Sequence, residues 1–179
     1  IPWIADLRDP WTDIFYYKEL KPTRFRLNKD KKLEREVLET ADSVITVSNG
    51  LKELFQSKLE VIYKEKIRII TNGFDSEDFN KIVIDKPKNF TITYTGQLLH
   101  NYNPYPFFHA LETLSKRNIP FELLLAGFIG NEIKEFILNS NLKEHTKFLG
   151  NLSHPGSIQL LCNSNMLFLC IPQTEHSSG

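Results

Sequence analysis

Two short apolar segments rich in β-branched residues, 43–47 and 67–71, flank an amphipathic segment in the first half of the chain. A small polar residue follows each apolar segment: Ser48 follows the first and Asn72 the second. The middle segment, 49–59, places its leucines on one stripe of a helix, and Ser48 suits its N-cap. This order predicts a βαβ unit with parallel strands. Ligands of such sheets bind beyond the carboxyl ends of the strands, where Ser48 and Asn72 lie.

The residues before this unit predict one strand and one helix. Residues 2–7 favour a short buried strand that ends before Pro10, because a proline disfavours helical backbone at the residue before it. Residues 12–30 show no clean period and predict a loop with helical turns. A helix is predicted over 31–40, with Asp30 as its cap.

A second alternation of strands and helices begins at Phe90. The predicted strands cover 90–95, 120–126, 146–149 and 166–171, and the predicted helices between them cover 104–116, 132–139 and 155–162. The first three strands are predicted to end at Gly96, Gly127 and Gly150. This regular alternation predicts a doubly wound parallel sheet.

A polar stretch, 76–88, separates the two alternations and ends in Lys-Pro-Lys. We therefore expect two incomplete α/β domains, over 1–79 and 89–179, with a linker over 80–88 and a cleft where the domains meet. The abrupt beginning and end of the sequence favour a piece cut from a longer protein.

The charges of the chain are balanced. Lysine plus arginine number 22, and aspartate plus glutamate also number 22. Domains that bind nucleic acid are usually basic, so this balance argues against a nucleic-acid partner. Residues 18–32 are locally basic. They form either a solvated loop or a patch that contacts anionic lipid or phosphate at a membrane surface.

The cysteines and the hydropathy of the chain indicate the cellular compartment of the protein. Cys162 and Cys170 stand in apolar surroundings, which predicts buried free thiols and suits a reducing cytoplasm. No apolar run approaches the ~18 residues of a membrane span, and no signal-peptide pattern is present. We expect a cytoplasmic protein, peripheral to the inner membrane if the basic stretch contacts lipid.

The sequence lacks the common motifs of metal and nucleophile chemistry. The five histidines have no metal-ligand spacing. No serine-hydrolase elbow, P-loop lysine motif or catalytic cysteine–histidine arrangement is present. We therefore expect no metal and no cofactor.

Four segments together resemble the retaining glycosyltransferases of the GT-B fold, in particular family 4 and its bacterial members that build cell-surface polysaccharides. The segments are PWIADLRDPW (2–11), ADSVITVS (41–48), NGFD (72–75) with Asp78 and Phe79, and TYTG (93–96) with the later LAG (125–127) and FLG (148–150). The resemblance covers nearly the whole chain. It implies two Rossmann-like doubly wound parallel sheets, both incomplete here, and two donor-binding glutamates just past residue 179.

The resemblance implies a transferase. A sugar would move from a nucleotide-diphosphate sugar to a hydroxyl of a glycan or lipid-linked acceptor, with retained anomeric configuration and without a metal. Helix amino termini and cationic side chains would stabilise the departing diphosphate. Without the two glutamates, the fragment alone is expected to be inactive. Two alternatives stay open: a nucleotide-sugar epimerase of related fold and a non-catalytic nucleotide-binding module.

The resemblance assigns donor binding to three turns. The residues are Gly96 and Gln97, then Gly127, then Leu149, Gly150, Asn151 and Leu152. Glycine at a strand end lets the backbone approach a diphosphate, and the last segment would contact the nucleotide base through its main chain. The arginine and lysine that the family carries after the first glycine are missing here. Either His100 and main-chain amides bind the phosphates, or a cation comes from elsewhere.

The acceptor side is assigned to the end of the first strand. Arg8 stands where the family often has a catalytic-site histidine, so the resemblance implies catalytic roles for Arg8 and Asp9 and acceptor binding for Asp6 and Trp11. Arg8 would bind the donor phosphate or an anionic acceptor, and Asp6 or Asp9 would orient a hydroxyl. The alternative is an Asp–Arg ion pair that only braces the loop.

Two further features belong to this side. Trp11 begins an aromatic group with Phe15, Tyr16 and Tyr17, which would either stack on a sugar or lipid-linked acceptor or pack in the core. The resemblance also implies that the domains close over the donor. Asn72 and Gly73 are assigned to the hinge, together with the linker that follows them.

Overall fold

The computed structural model describes residues 1–14, 16–80 and 82–171. The chain divides into two compact units: Ile1–Phe74, and a second unit that begins at Asp75 and holds the remaining described residues. Each unit has its own parallel sheet and its own apolar core. The predicted α/β fold class with two incomplete parallel sheets is confirmed.

The first unit is a three-stranded parallel sheet with the order β1-β2-β3. Its elements are β1 (Ile4–Asp6), α1 (Arg24–Thr40), β2 (Ser43–Thr46), α2 (Asn49–Ser57), α3 (Val61–Lys64) and β3 (Ile67–Ile69), with a 3-10 turn at Tyr17–Leu20. Ala5, Val44 and Ile67 are partners across the three strands and are all buried. They form one apolar row, against which the helices pack Leu38 and Phe55.

The predicted βαβ unit of the first half is confirmed. Strands β2 and β3 are parallel neighbours, and α2 connects them on the way to α3. The Ser48 side chain accepts a hydrogen bond from the main-chain N–H of Leu51 at 3.3 Å. Ser48 is therefore the N-cap of α2, as its residue type predicts.

Helix α1 begins at Arg24 rather than at residue 31, so the predicted loop over this stretch is wrong. Asp30, predicted as the cap, is buried inside the helix. Its carboxylate accepts hydrogen bonds from the Tyr17 hydroxyl at 2.6 Å and from Arg26 Nε at 2.8 Å, and these hold the pKa of Asp30 below its ordinary value. The first turns of α1 carry many basic residues and no apolar residues at helical spacing. The hydrophobic pattern therefore did not predict a helix there.

The second unit is a four-stranded parallel sheet with the order β6-β5-β4-β7. Its elements are β4 (Thr91–Leu98), α4 (Tyr105–Lys116), β5 (Glu122–Ile129), α5 (Asn131–Leu138), β6 (Thr146–Gly150), α6 (His154–Asn163) and β7 (Met166–Leu167), with a 3-10 turn at Ser76–Phe79 before the sheet. Strands β5 and β6 lie on one side of β4, whereas β7 lies on the other. The predicted doubly wound sheet is confirmed, and the strand order reverses between β4 and β7.

The two units divide at a different residue from the predicted domains: the division falls between Phe74 and Asp75, whereas the first predicted domain ends at residue 79. The polar stretch after Asp75 groups with the second unit. The predicted domains over 1–79 and 89–179, with the linker at 80–88, stay a prediction.

Strands β4 and β5 continue past the glycines at which they were predicted to end. Gly96 has φ of 133° and Gly127 has φ of 102°, and the two are direct partners in the ladder. A Cβ at Gly127 would lie 2.1 Å from the main-chain oxygen of Gly96. Both glycines therefore allow a bend that the paired strands make together, after which pairing resumes as far as Leu98 and Ile129.

Two lysines outside the helices complete helix ends. Neither α1 nor α6 has a basic residue in its last turn. Lys66 Nζ donates at 2.7 Å to the main-chain oxygens of Glu39 and Ala41, at the end of α1. Lys86 Nζ lies at the end of α6 in the same way and donates to two of its terminal carbonyl oxygens. Each cation stabilises the negative end of its helix.

The Gly127→Ala variant should lose about 3 kcal/mol of unfolding free energy, because its φ is positive and the new Cβ would overlap the Gly96 carbonyl. Gly130→Ala is the matched control in the same unit. Its φ is −59° and a Cβ would come no closer than 3.5 Å to another atom, so it should change stability by less than about 1 kcal/mol. Urea unfolding followed by circular dichroism measures both, and equal losses would contradict the close approach.

Candidate functional site

The carboxyl ends of β1 and β3 lie at one edge of the first sheet, and three predicted site residues meet there. Asp6 is the last residue of β1, Arg8 follows it, and Asn72 comes shortly after β3. Arg8 Nε lies 2.6 Å from Asp6 Oδ1, and Arg8 Nη2 donates to Asp6 Oδ2 at 2.8 Å. Arg8 Nη1 donates to Asn72 Oδ1 at 2.7 Å. The structure thus joins Asp6, Arg8 and Asn72 in one hydrogen-bonded group.

Asp6 and Asn72 together fix the orientation of the planar Arg8 guanidinium group. Its hydrogen bond to Asp6 raises the pKa of Arg8, and 43% of the side chain stays exposed. An arginine has five N–H donors, of which Asp6 and Asn72 take three. None of the described residues takes up the other two. The bracing ion pair of the alternative interpretation is present, and it leaves donors on Arg8 for a further ligand.

The other predicted site residues of the first unit follow Arg8 and Asn72 in the chain: Asp9 and Trp11 come after Arg8, and Gly73 comes after Asn72. The Asp9 side chain is exposed, and it bonds to no residue within the described ranges. The Trp11 side chain is 38% exposed, whereas its main-chain N–H donates to a buried carboxylate. A Cβ at Gly73 would meet nothing within 4 Å. These positions are therefore open to solvent in the unit to which they belong.

The aromatic residues after Trp11 do not share one environment. Tyr17 is buried, and its hydroxyl donates a hydrogen bond to the Asp30 carboxylate. Tyr17 is therefore a residue of the core of this unit and does not face a ligand. Tyr16 is 42% exposed. Phe15 lies outside the described residues. Trp11 and Tyr16 are thus the members of the predicted group with surface available for a ligand.

Glu34 anchors the loop that carries Trp11, and its role was missed from the sequence. Its side chain is only 2% exposed. Oε1 accepts the main-chain N–H groups of Trp11 at 3.2 Å and Thr12 at 3.4 Å, and Oε2 accepts the Thr12 hydroxyl at 2.6 Å. Lys58 Nζ lies 2.8 Å from Oε2 and 2.5 Å from an Asp13 oxygen. The loop is therefore fastened to α1 by a fully paired buried carboxylate.

Three glycines stand side by side across β4, β5 and β6 in the second unit. Gly96 pairs with Gly127, and the neighbouring Ala126 pairs with Gly150. Neighbouring strands lie about 4.8 Å apart, which puts Gly96 and Gly150 about 10 Å apart. All three have positive φ, and the reversal of strand order lies beside Gly96, between β4 and β7. Ligands of doubly wound sheets bind at such a reversal.

The conformation of Gln97, beside Gly96, is held from inside the sheet. The buried Tyr94 hydroxyl donates to the main-chain oxygen of Gln97 at 2.7 Å. Burial raises the pKa of Tyr94 to about 12, so the hydroxyl keeps its proton at neutral pH. A Cβ at Gly96 would lie 3.5 Å from this hydroxyl, which is ordinary contact. The bend of β4 at Gly96 is thus supported by a hydrogen bond that neutral pH does not disturb.

His100 is not a free cation for a phosphate group. Its Nδ1 lies 2.9 Å from the Tyr105 hydroxyl and 3.2 Å from a carboxylate oxygen of Glu132. When His100 is protonated, Glu132 offsets its charge. The two alternatives from the sequence stay predictions: either His100 and main-chain amides bind the phosphates, or a cation comes from elsewhere.

The segment after β6 presents its backbone to solvent. Gly150 ends β6 with φ of 66°, and a Cβ there would meet nothing within 4 Å. Leu149, Asn151 and Leu152 are all exposed. Ser153 then caps α6 through its hydroxyl. The predicted base-binding segment is thus an open turn immediately before a capped helix.

Neither a cluster of metal ligands nor a helix able to span a membrane occurs within the described residues. No three His, Cys, Asp or Glu side chains within 1–14, 16–80 and 82–171 stand close enough together to hold a metal ion. None of the helices in those ranges is long and apolar enough to cross a membrane.

No protein-family model and no curated protein matches this sequence. Several solved structures match its fold. Sucrose-phosphate synthase from Thermosynechococcus elongatus matches with a TM-score of 0.68 and 16% identity, over 93% of this chain and 44% of that one. HepE from Anabaena, in complex with UDP and glucose, matches with a TM-score of 0.64 and 18% identity, over 93% of this chain and 45% of that one.

A TarM variant from S. aureus, in complex with UDP and α-GlcNAc-glycerol among other ligands, matches with a TM-score of 0.62 and 13% identity, over 93% of this chain and 31% of that one. The chain therefore spans less than half the length of these three structures. Its two sheets have the fold of incomplete Rossmann-like halves of the GT-B architecture.

Glu34→Ala should lower the unfolding free energy of the first unit by about 3 kcal/mol, because Lys58 and two loop amides would lose their buried partner. Glu36→Ala removes an exposed carboxylate from the same helix and is the control, with a change below about 0.5 kcal/mol. Both tryptophans lie in this unit, so urea unfolding followed by tryptophan fluorescence reports on it. Equal stability of the two variants would show that Glu34 does not anchor the loop.

Proposed function

We propose that the second unit binds a nucleotide-diphosphate sugar at the carboxyl ends of β4, β5 and β6. The row of Gly96, Gly127 and Gly150 beside the reversal of strand order is the observation that carries this proposal. Main-chain amides at such turns bind phosphate without a side-chain cation, helped by the amino termini of the helices that follow. The bound UDP of the HepE and TarM structures supports a nucleotide as ligand.

Within this site the phosphates and the base contact different turns. The main chain at Gly96, Gln97 and Gly127 binds the diphosphate. The open turn of Leu149, Gly150, Asn151 and Leu152 contacts the base through its main chain.

The acceptor binds to the first unit in this proposal. Both Asp6 oxygens are engaged by Arg8, so Asp9 is the carboxylate available to orient an acceptor hydroxyl. The two remaining N–H groups of Arg8 bind an oxygen pair of the diphosphate or of an anionic acceptor. Trp11 offers an exposed ring for stacking on a sugar. Asn72 and Gly73 serve as the hinge.

The proposed reaction is glycosyl transfer with retained anomeric configuration. The acceptor oxygen bonds to the anomeric carbon while the bond from that carbon to the diphosphate oxygen breaks, and the hydroxyl proton passes to the departing diphosphate. Main-chain amides and Arg8 stabilise the developing negative charge without a metal. The acceptor is a glycan or a lipid-linked hydroxyl. The activity is proposed for the protein that contains these residues.

UDP added to the ¹⁵N-labelled chain should shift the amide signals of Gly96, Gln97, Gly127 and residues 150–152, because these main-chain groups contact the ligand. UMP is the matched control. It lacks the second phosphate, so its shifts should stay at 150–152 and weaken at Gly96 and Gly127. Titrations with ADP and GDP, compared with UDP, test which nucleotide base the site prefers. Shifts confined to other residues, or none with any of the nucleotides, would contradict the donor site.

Arg8→Ala in the complete gene product should lower sugar transfer or hydrolysis of the nucleotide sugar by about 100-fold. The variant loses the guanidinium N–H groups that stabilise the developing negative charge. The affinity for UDP separates the two proposed ligands of Arg8: it falls if Arg8 binds the diphosphate and stays unchanged if Arg8 binds an anionic acceptor. Arg24→Ala, an exposed arginine of the same unit, is the control and should keep full turnover. Unchanged turnover in Arg8→Ala would remove Arg8 from the site. Product analysis by NMR separates a transferred sugar from an epimerised donor.

A further inference from the structure

The segment that follows Asp75 lies along the whole length of α6. His154 Nε2 lies 2.7 Å from Asp78 Oδ2 at the start of the helix. Gln159 Nε2 donates to the main-chain oxygen of Val83 at 2.6 Å near its middle. At its end the main-chain N–H of Asp85 donates to the Asn163 side chain at 3.0 Å, and Lys86 Nζ donates to Cys162 O at 2.8 Å and to Ser164 O at 2.5 Å. We name residues 75–80 and 82–86 the strap.

The first of these contacts lies next to the open turn after β6. His154 is the first residue of α6, and the turn of Gly150 to Leu152 ends two residues before it. The Asp78 side chain is more buried than that of His154, with 31% and 66% exposed. Asp78 is therefore the more fixed partner, and it ties the beginning of α6 to the strap.

We propose that Asp78 is a positioning residue for nucleotide binding, and that it acts through His154. It holds the beginning of α6 and so limits the conformations of the turn at 150–152. This inference rests on the proposed function of that turn. Asp78 touches no part of the donor in this arrangement, and its effect is to lower the entropy that the turn loses when a nucleotide binds.

The remaining strap contacts make this role specific to Asp78. Lys86 Nζ and the main-chain N–H of Asp85 hold the other end of α6, which lies next to β7 rather than next to the turn. Losing Asp78 would therefore remove the strap's contact with the first residue of α6 while the end of the helix stays attached.

The first test is amide hydrogen exchange of the chain without ligand. Asp78→Ala should raise the amide exchange rates of residues 151–154 and 156 about threefold, as expected for the loss of one exposed side-chain contact. Asp85→Ala is the matched control: it removes a carboxylate from the same strap, and only its main-chain N–H contacts α6. It should leave those rates unchanged. The free energy of urea unfolding should change little in either variant, which separates positioning from a general loss of stability.

The second test measures the dissociation constant for UDP. Asp78→Ala and His154→Ala should each weaken binding about threefold, and the double variant should be no weaker than either single one. His154→Gln keeps a side-chain N–H near the position of Nε2 and should restore most of the affinity.

The outcomes separate the two proposals. Unchanged exchange at 151–154 and 156 in Asp78→Ala overturns the positioning role, whether or not UDP binds. If the wild-type chain binds UDP and Asp78→Ala binds it equally well, the positioning role again fails while the donor site stands. If no nucleotide binds the wild-type chain but exchange rises, the donor site fails and Asp78 only orders the turn.

Discussion

The second unit depends on the close approach of two backbones at Gly96 and Gly127. No side chain fits between them, because a Cβ at Gly127 would overlap the Gly96 carbonyl. Their positive φ angles let β4 and β5 bend together and resume pairing, so the ladder extends beyond the bend. The glycines thus satisfy a packing requirement first, and the bend of the two strands follows from it.

The first unit depends on a different constraint, a buried carboxylate without a free lone pair. Glu34 accepts two main-chain amides and a hydroxyl and pairs with Lys58, so its charge is compensated where water is absent. A carboxylate buried without such partners would cost several kcal/mol, on the order of the whole stability of a small domain. The loop that carries Trp11 is therefore attached to α1 through Glu34, while the nearby Arg8 keeps N–H donors for a ligand.

The sequence predicted the strands and connecting helices well, because apolar segments such as 43–47 and their flanking polar residues are local signals. It did not predict Glu34, because an acid among lysines on a helix looks solvent-exposed. A hint was present: positions 30, 34 and 38 share one helix face and are all buried, so the two acids continue the apolar stripe of Leu38. The contact of Asp78 with His154 joins residues far apart in the chain, which no local pattern reveals.

The two helix-capping lysines have a consequence for how the chain folds. Helices α1 and α6 have no positive charge of their own at their carboxyl ends, and each receives one from a neighbouring segment, through Lys66 and Lys86. As isolated peptides, both helices would lack this compensation and would be marginal in water. Docking of the lysine-bearing segment therefore adds about 0.5 kcal/mol to the stability of each helix, so helix formation and docking are coupled.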